Sequence, residues 1–157
     1  MIVLNFKWVY PDYSVKVISQ WFHEAYRAVG EHWKLKMLPR HFDMDAYGRY
    51  HLQRRSHAYN KRKMKKYGHI KPLVYTGNLR TSALLFSEVR TWPTKAVVRI
   101  SGPAYTWKYH PDRNEPDKAE ELKRSTEKER RELSAILTDT IARLFNTHRE
   151  HVTKKVA

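Results

Sequence analysis

Apolar residues occur in this chain in runs of at most four, such as Met1–Leu4, and this spacing limits the fold more than any other feature. A helix that crosses a bilayer needs about 20 consecutive apolar residues, so the pattern predicts no membrane-spanning segment. Met1–Leu4 also lacks the flanking basic region and cleavage site that are typical of a signal peptide. Each helix or strand must therefore be amphipathic and bury one face against its neighbours.

Length and composition narrow the class further. The 157 residues suffice for one domain with a sizeable core. The absence of cysteine excludes a disulfide scaffold, thiolate-ligated metals and a cysteine nucleophile. The 31 Lys and Arg residues exceed the 16 Asp and Glu residues, giving a formal charge of +15, so an anionic partner is expected. Charge alone leaves nucleic acid, an acidic protein surface and anionic lipid open.

Hydrophobic periodicity predicts a small α+β domain over residues 1–146, followed by a polar C-terminal tail over 147–157. Alternating apolar residues predict a strand over 2–10, and spacings of three and four predict a helix over Ser14–Val29. Gly30 is a candidate terminator of that helix. Thr126 and Glu129 have the spacing of a capping box, which predicts a final helix over Thr126–Phe145. Residues 118–124 are a candidate helical lead-in.

A hairpin is predicted between these helices. Leu84–Arg90 and Lys95–Ser101 are its strands, joined by a turn at Trp92–Thr94. An alternating aromatic set follows and predicts a third strand or an extended arm: Tyr105, Trp107 and Tyr109. These aromatic side chains are candidates for a subunit contact, with stacking on nucleic-acid bases as the alternative. The whole predicts a small antiparallel sheet packed with two or three helices.

Positive charge is concentrated between Arg40 and Lys71, which hold ten basic residues against two acidic ones. The sequence predicts a basic helical segment at about 49–67, with Tyr50–Lys66 as the helix. On this helix, two adjacent faces carry the candidate residues for an anionic partner or DNA: Arg54, Arg55, Lys61, Arg62, Lys65 and Lys66. Such a surface can track phosphates, or it can be a solvated face that pairs with acidic residues of a neighbouring subunit.

Catalytic motifs are missing from the chain. There is no GxSxG, GxxxxGK[ST] or GxGxxG, and the nine histidines lack the spacing of a zinc site. Asp117, Glu121 and Lys123 loosely imitate a magnesium-nuclease pattern, but they fall in one short charged stretch that is expected to be a solvated helix face. The sequence therefore predicts a protein that is not an enzyme and has no metal site or cofactor.

A series of residues at characteristic spacings begins at Arg49. It comprises Arg49-Tyr50, Arg55, Tyr59, Lys63 and Gly68, followed by the segment Pro72–Ser82, which contains Thr76-Gly77-Asn78-Leu79-Arg80. The chain over roughly residues 41–145 resembles the neck and tail-completion (virion morphogenesis) proteins of tailed bacteriophages, including those similar to tail terminators. Members of that group carry a "TG.LR.S" turn that leads into a hairpin.

The resemblance implies a non-enzymatic subunit of a cyclic homo-oligomer, six-fold by analogy, at the head–tail junction of a virion assembled in the bacterial cytoplasm. Its implied partners are copies of itself, neighbouring neck, portal-side and tail-tube proteins, and DNA in the lumen, with no membrane. In the turn, Gly77 is expected to adopt a positive φ, Leu79 to pack inward, and Arg80 to face a carboxylate or phosphate. Thr76 completes the motif.

Two alternatives remain open at the level of sequence. One is a stand-alone nucleic-acid-binding protein that uses the basic helix and the Tyr105 region. The other is a magnesium-dependent nuclease that depends on Asp117.

Overall fold

The computed structural model describes residues 14–107 and 116–156 of the chain. The predicted strand over 2–10 and Tyr109 lie outside these residues. The described part contains six α-helices and one two-stranded antiparallel sheet. Their bounds are α1 Val15–His32, α2 Ala46–Arg49, α3 His57–Tyr67, α4 Asn78–Phe86, β1 Glu88–Trp92, β2 Lys95–Arg99, α5 Lys118–Lys123 and α6 Glu127–Val156. The predicted α+β class is confirmed.

Helix α1 is the centre of one half of the fold. It begins at Ser14, whose hydroxyl accepts a hydrogen bond from the Val17 amide at 3.4 Å, and it packs against both strands and along α6. Gly30 does not terminate it, contrary to the prediction, because it lies buried inside the helix. A Cβ at that position would come within 2.5 Å of Val89 Cγ1. The glycine therefore lets β1 approach the α1 backbone closely.

The basic helix is shorter than predicted. It begins after Ser56, whose hydroxyl accepts from the Tyr59 amide, and ends at Gly68 with φ +70°. Residues 50–55 are not helical because other parts of the chain bind their backbone groups. Arg124 donates to the Tyr50 carbonyl at 3.1 Å, and the Gln53 amide donates to Glu121 Oε1 at 3.2 Å. Arg54 and Arg55 therefore precede α3 instead of lying on it.

The turn at Gly77 leads into helix α4, not directly into a strand. Leu84–Phe86 are helical, so the first predicted strand is wrong over these residues. Leu79 and Ala83 recur at a spacing of four and are both buried, which stabilises a helix here. The hairpin itself is confirmed, with Glu88 opposite Arg99 and Trp92 opposite Lys95.

Two predictions near the chain's end need correction. Ala104–Thr106 form a 3-10 turn, so the third strand or extended arm is wrong for the described part of that segment. The final helix does not end at Phe145 as predicted but continues through the polar segment to Val156, since α6 contains no Gly or Pro to interrupt it. The capping box is confirmed: the Thr126 amide donates to Glu129 Oε2 at 3.0 Å, and the Glu129 amide donates to Thr126 Oγ1 at 3.1 Å.

The main core lies between α4, α5 and a 3-10 segment over Leu38–Phe42 that continues from α1 through a π-helical turn at Trp33–Met37. Seven buried apolar residues form it: Leu38, Phe42, Leu73, Val74, Leu79, Ala83 and Leu122. Because Leu79 belongs to the first turn of α4 and Leu122 to the last turn of α5, this core packs those two helices against the Leu38–Phe42 segment.

Candidate functional site

A cleft of about 800 Å³ lies where α3, α4 and α5 begin, and we call it the α3–α4 cleft. Its wall includes five of the residues that the sequence predicts as binding residues: Arg54, Arg55, Arg62, Thr76 and Tyr105. Six further side chains carry hydroxyl, amide or ammonium groups: Gln53, Ser56, Tyr59, Tyr75, Asn78 and Lys118. The fold thus brings together parts of all three predicted groups, which are far apart in sequence.

The positive charge of Arg55 is balanced by a carboxylate of the same chain. Its guanidinium holds the Glu121 carboxylate in a two-point contact, with Nη2–Oε2 at 2.6 Å and Nη1–Oε1 at 3.0 Å. The side chains are only 11% and 3% exposed, so the pair is shielded from solvent. Arg55 is therefore committed to a carboxylate of its own chain, whereas the sequence predicts it as a residue for an external anion.

The other cations of the cleft have no such partner. Arg54, Arg62 and Lys118 form no ion pair with any described residue, and no Asp or Glu of the described chain lines the cleft. Lys118 Nζ lies 5.6 Å from the centroid of the Tyr105 ring. Within the described residues, three positive side chains thus share one concave surface whose lining holds no carboxylate, which favours an anionic ligand.

Helix α3 extends this positive surface beyond the cleft. Lys61, Lys65 and Lys66 are exposed and do not line the cleft. Lys66 follows Arg62 by four positions, so the two side chains lie on the same face of the helix. Lys63, in contrast, is buried, and its ammonium donates to the Lys71 carbonyl. The exposed side of α3 carries a row of cations that continues from the wall of the cleft.

Aromatic rings form the remaining wall. Tyr59 and Tyr75 pack at 5.8 Å between ring centroids, and burial raises the pKa of the Tyr59 hydroxyl. Tyr105 is 48% exposed, so its ring is open to a ligand. Trp107 does not line the cleft, and its indole N–H donates to the Gly102 carbonyl at 3.3 Å. Of the predicted aromatic set, Tyr105 lines the cleft and Trp107 does not, while Tyr109 lies outside the described residues.

The turn motif has the expected backbone. Gly77 has φ +90°, which confirms the predicted left-handed conformation, and Leu79 is 3% exposed, which confirms its inward packing. Thr76 Oγ1 accepts a hydrogen bond from the Asn78 amide at 3.4 Å. Arg80 is exposed and does not line the cleft. Its predicted role toward an anion stays a prediction.

The three residues of the nuclease-like pattern have separate structural contacts. Asp117 caps α5 by accepting from the Ala119 and Glu120 amides at 2.8 and 3.1 Å. Glu121 is buried against Arg55, and Lys123 donates to Glu120. Among residues 14–107 and 116–156, no group of three His, Asp or Glu side chains is placed to hold a metal ion. No helix of that part is long and apolar enough to cross a bilayer.

A buried polar network outside the cleft lining has no counterpart in the sequence predictions. The Tyr50 hydroxyl donates to Glu129 Oε1 at 2.7 Å, and Arg40 donates to the same oxygen at 3.2 Å. The His41 ring stacks on Tyr50, with centroids 4.0 Å apart. Burial acts to raise the pKa of Glu129, but hydrogen bonds from Thr126, Tyr50 and Arg40 together lower it. The network joins the start of α6 to the segment before α3.

Comparison with known proteins gives no match among protein-family models, curated proteins or solved structures.

Proposed function

We propose that the protein is a non-enzymatic subunit of a ring at the head–tail junction of a tailed bacteriophage, acting in neck assembly or tail completion. The ring is a cyclic homo-oligomer, six-fold by family analogy, that joins the portal side of the capsid to the tail. The resemblance over roughly residues 41–145 suggests this class. The turn at Gly77 and the buried Leu79 are consistent with it, because both have the conformations that the resemblance implies.

The observation that carries the proposal is the hairpin. Within the described residues β1 and β2 pair only with each other, so each strand has an outer edge with no strand beside it. Free strand edges recruit further strands, and a closed ring of identical subunits satisfies every such edge. The outward face of the hairpin also exposes Trp92 and Val97, each 42% accessible. These features suit a subunit that binds copies of itself.

Sedimentation velocity and negative-stain electron microscopy of the purified chain test the proposal. We expect a concentration-dependent ring that Val97→Arg weakens, because a further cation beside Arg90 and Arg99 on the outward hairpin face would increase repulsion between copies. Met44→Arg changes an equally accessible apolar residue away from the hairpin and is the matched control. A protein that stays monomeric at all concentrations and does not bind portal-side or tail-tube proteins would refute the proposal.

A further inference from the structure

We propose that the α3–α4 cleft binds single-stranded nucleic acid, with cations on the phosphates and Tyr105 stacked on a base. This inference goes beyond the ring proposal and does not rest on it, since it comes from the cleft alone.

The charges of the cleft are the first step. Arg54, Arg62 and Lys118 have no ion-pair partner among the described residues. Glu121 is occupied by Arg55, and Asp117, which precedes Lys118, accepts from the Ala119 and Glu120 amides. Three cations on one concave wall without an ion-pair partner among the described residues favour a ligand that carries several negative charges. A phosphodiester chain meets this requirement with regularly repeated charges.

The extension of the positive surface along α3 favours a phosphodiester chain over a small anion as the ligand. Arg62 shares its helix face with Lys66, and Lys61 and Lys65 are also exposed on α3. At a rise of about 1.5 Å per residue, the basic row over residues 61–66 is several ångströms longer than one phosphate group. A ligand that leaves the cleft along α3 would meet further cations.

The aromatic wall distinguishes a single strand from a duplex. A base can stack on a tyrosine only when it is free of its neighbours, as in a single strand. Tyr105 offers this platform at the wall of the cleft, being 48% exposed and adjacent to Lys118. A duplex presents phosphates to the cations but keeps its bases paired, and it therefore gains nothing from Tyr105. An acidic peptide gains no stacking on Tyr105 either.

The first experiment measures anisotropy of a fluorescein-labelled oligothymidylate of about 12 nucleotides, a length within the usual range of single-strand sites. Titrations with the full chain at several salt concentrations give the slope of log K against log[salt]. Replacing Arg54, Arg62 and Lys118 together by Ala should flatten this slope by about 2, at about 0.7 for each phosphate contact. Replacing Lys16, Lys128 and Arg130 together removes the same charge from exposed positions outside the cleft and the hairpin, and it should leave the slope nearly unchanged.

The second experiment addresses stacking. Tyr105→Ala should weaken binding of the oligothymidylate roughly tenfold, whereas Tyr105→Phe keeps the ring and should stay within about twofold of the unchanged protein. Circular dichroism melting of each variant checks that the exposed substitution leaves the fold intact. A duplex of the same length should bind more weakly than the single strand and should not respond to Tyr105→Ala.

Three results would overturn the inference. Displacement of the oligothymidylate by polyglutamate of equal charge at equal concentration would assign the cleft to an acidic protein segment. Equal flattening of the salt slope by both triple variants would show that charge in general, and not the cleft, binds the anion. Equal affinity for the duplex, with no effect of Tyr105→Ala, would refute the single-strand claim. Sedimentation of the same samples reports the ring proposal separately.

Discussion

Loss of the Glu121 carboxylate should destabilise the protein more than loss of any exposed acidic side chain. Glu121 accepts from Arg55 at 2.6 and 3.0 Å and from the Gln53 amide at 3.2 Å, and both side chains of the ion pair are nearly inaccessible. Glu121→Ala leaves a buried guanidinium without a counter-charge and an amide without its acceptor. The removal of one partner from a buried pair costs about 3–5 kcal/mol.

Urea denaturation followed by circular dichroism measures this loss. Glu31→Ala is the matched control, because Arg27–Glu31 is an ion pair whose side chains are 66% and 48% exposed. An exposed pair of this spacing contributes at most about 0.5 kcal/mol. The double variant Arg55→Met with Glu121→Leu should regain most of the stability that Glu121→Ala loses, because a buried pair can be replaced by apolar side chains of similar size at little cost.

The reasoning would be refuted if Glu121→Ala cost no more than Glu31→Ala, since the pair would then behave as a solvent-exposed one. A second readout tests the link to the cleft. Without Glu121, Arg55 becomes available to an external anion, so the salt slope for oligothymidylate should steepen by about 0.7. A slope that stays the same in a folded variant would contradict the view that Glu121 withholds Arg55 from ligands.

Three further predictions concern stability. Burial lowers the pKa of Lys63 to about 8, below the 10.5 of a free lysine. Between these pH values the unfolded chain binds more protons than the folded one. The free energy of unfolding should therefore rise by about 3 kcal/mol as the pH increases from about 8 to 10.5. Lys63→Met should remove this rise in urea titrations at pH 8 and pH 10, and an unchanged rise would contradict it. Gly30→Ala should cost about 1–3 kcal/mol in the same assay, because its Cβ would meet Val89 at 2.5 Å. Gly77→Ala should cost about 1–2 kcal/mol, because φ +90° is strained for a residue with a Cβ, whereas Gly48→Ala should cost less than either.

The sequence pattern predicted those helices and strands that are determined by contacts between residues close together in the chain. The start of α6 follows from Thr126 and Glu129, which satisfy each other's backbone amides within one turn. The hairpin follows from alternation over a few residues. The start of α3 was predicted wrongly because its determinants are distant: Arg124 binds the Tyr50 carbonyl from 74 residues away, and no helical period reports such a contact.

The candidate site was predictable in its parts but not as a whole. Arg54, Arg62, Thr76 and Tyr105 were each identified as binding residues, but only the tertiary fold places them around one cleft. Lys118 was missed because it belongs to a charged stretch with no motif. The ion pair between Arg55 and Glu121 could not be predicted either, since Glu121 is 66 residues away and its burial depends on how α5 packs.

The two proposals become physically connected through charge. In the proposed ring, each copy brings a formal charge of +15, and like charges on adjacent copies repel one another at low ionic strength. The hairpin contact must overcome this repulsion, while the carboxylates of the chain are too few to neutralise it. A polyanion bound in the α3–α4 cleft would reduce the charge of each subunit without occupying the hairpin. Under both proposals, nucleic acid in the cleft would therefore favour closure of the ring, because the proposed ring contact and the proposed anion site lie on different elements.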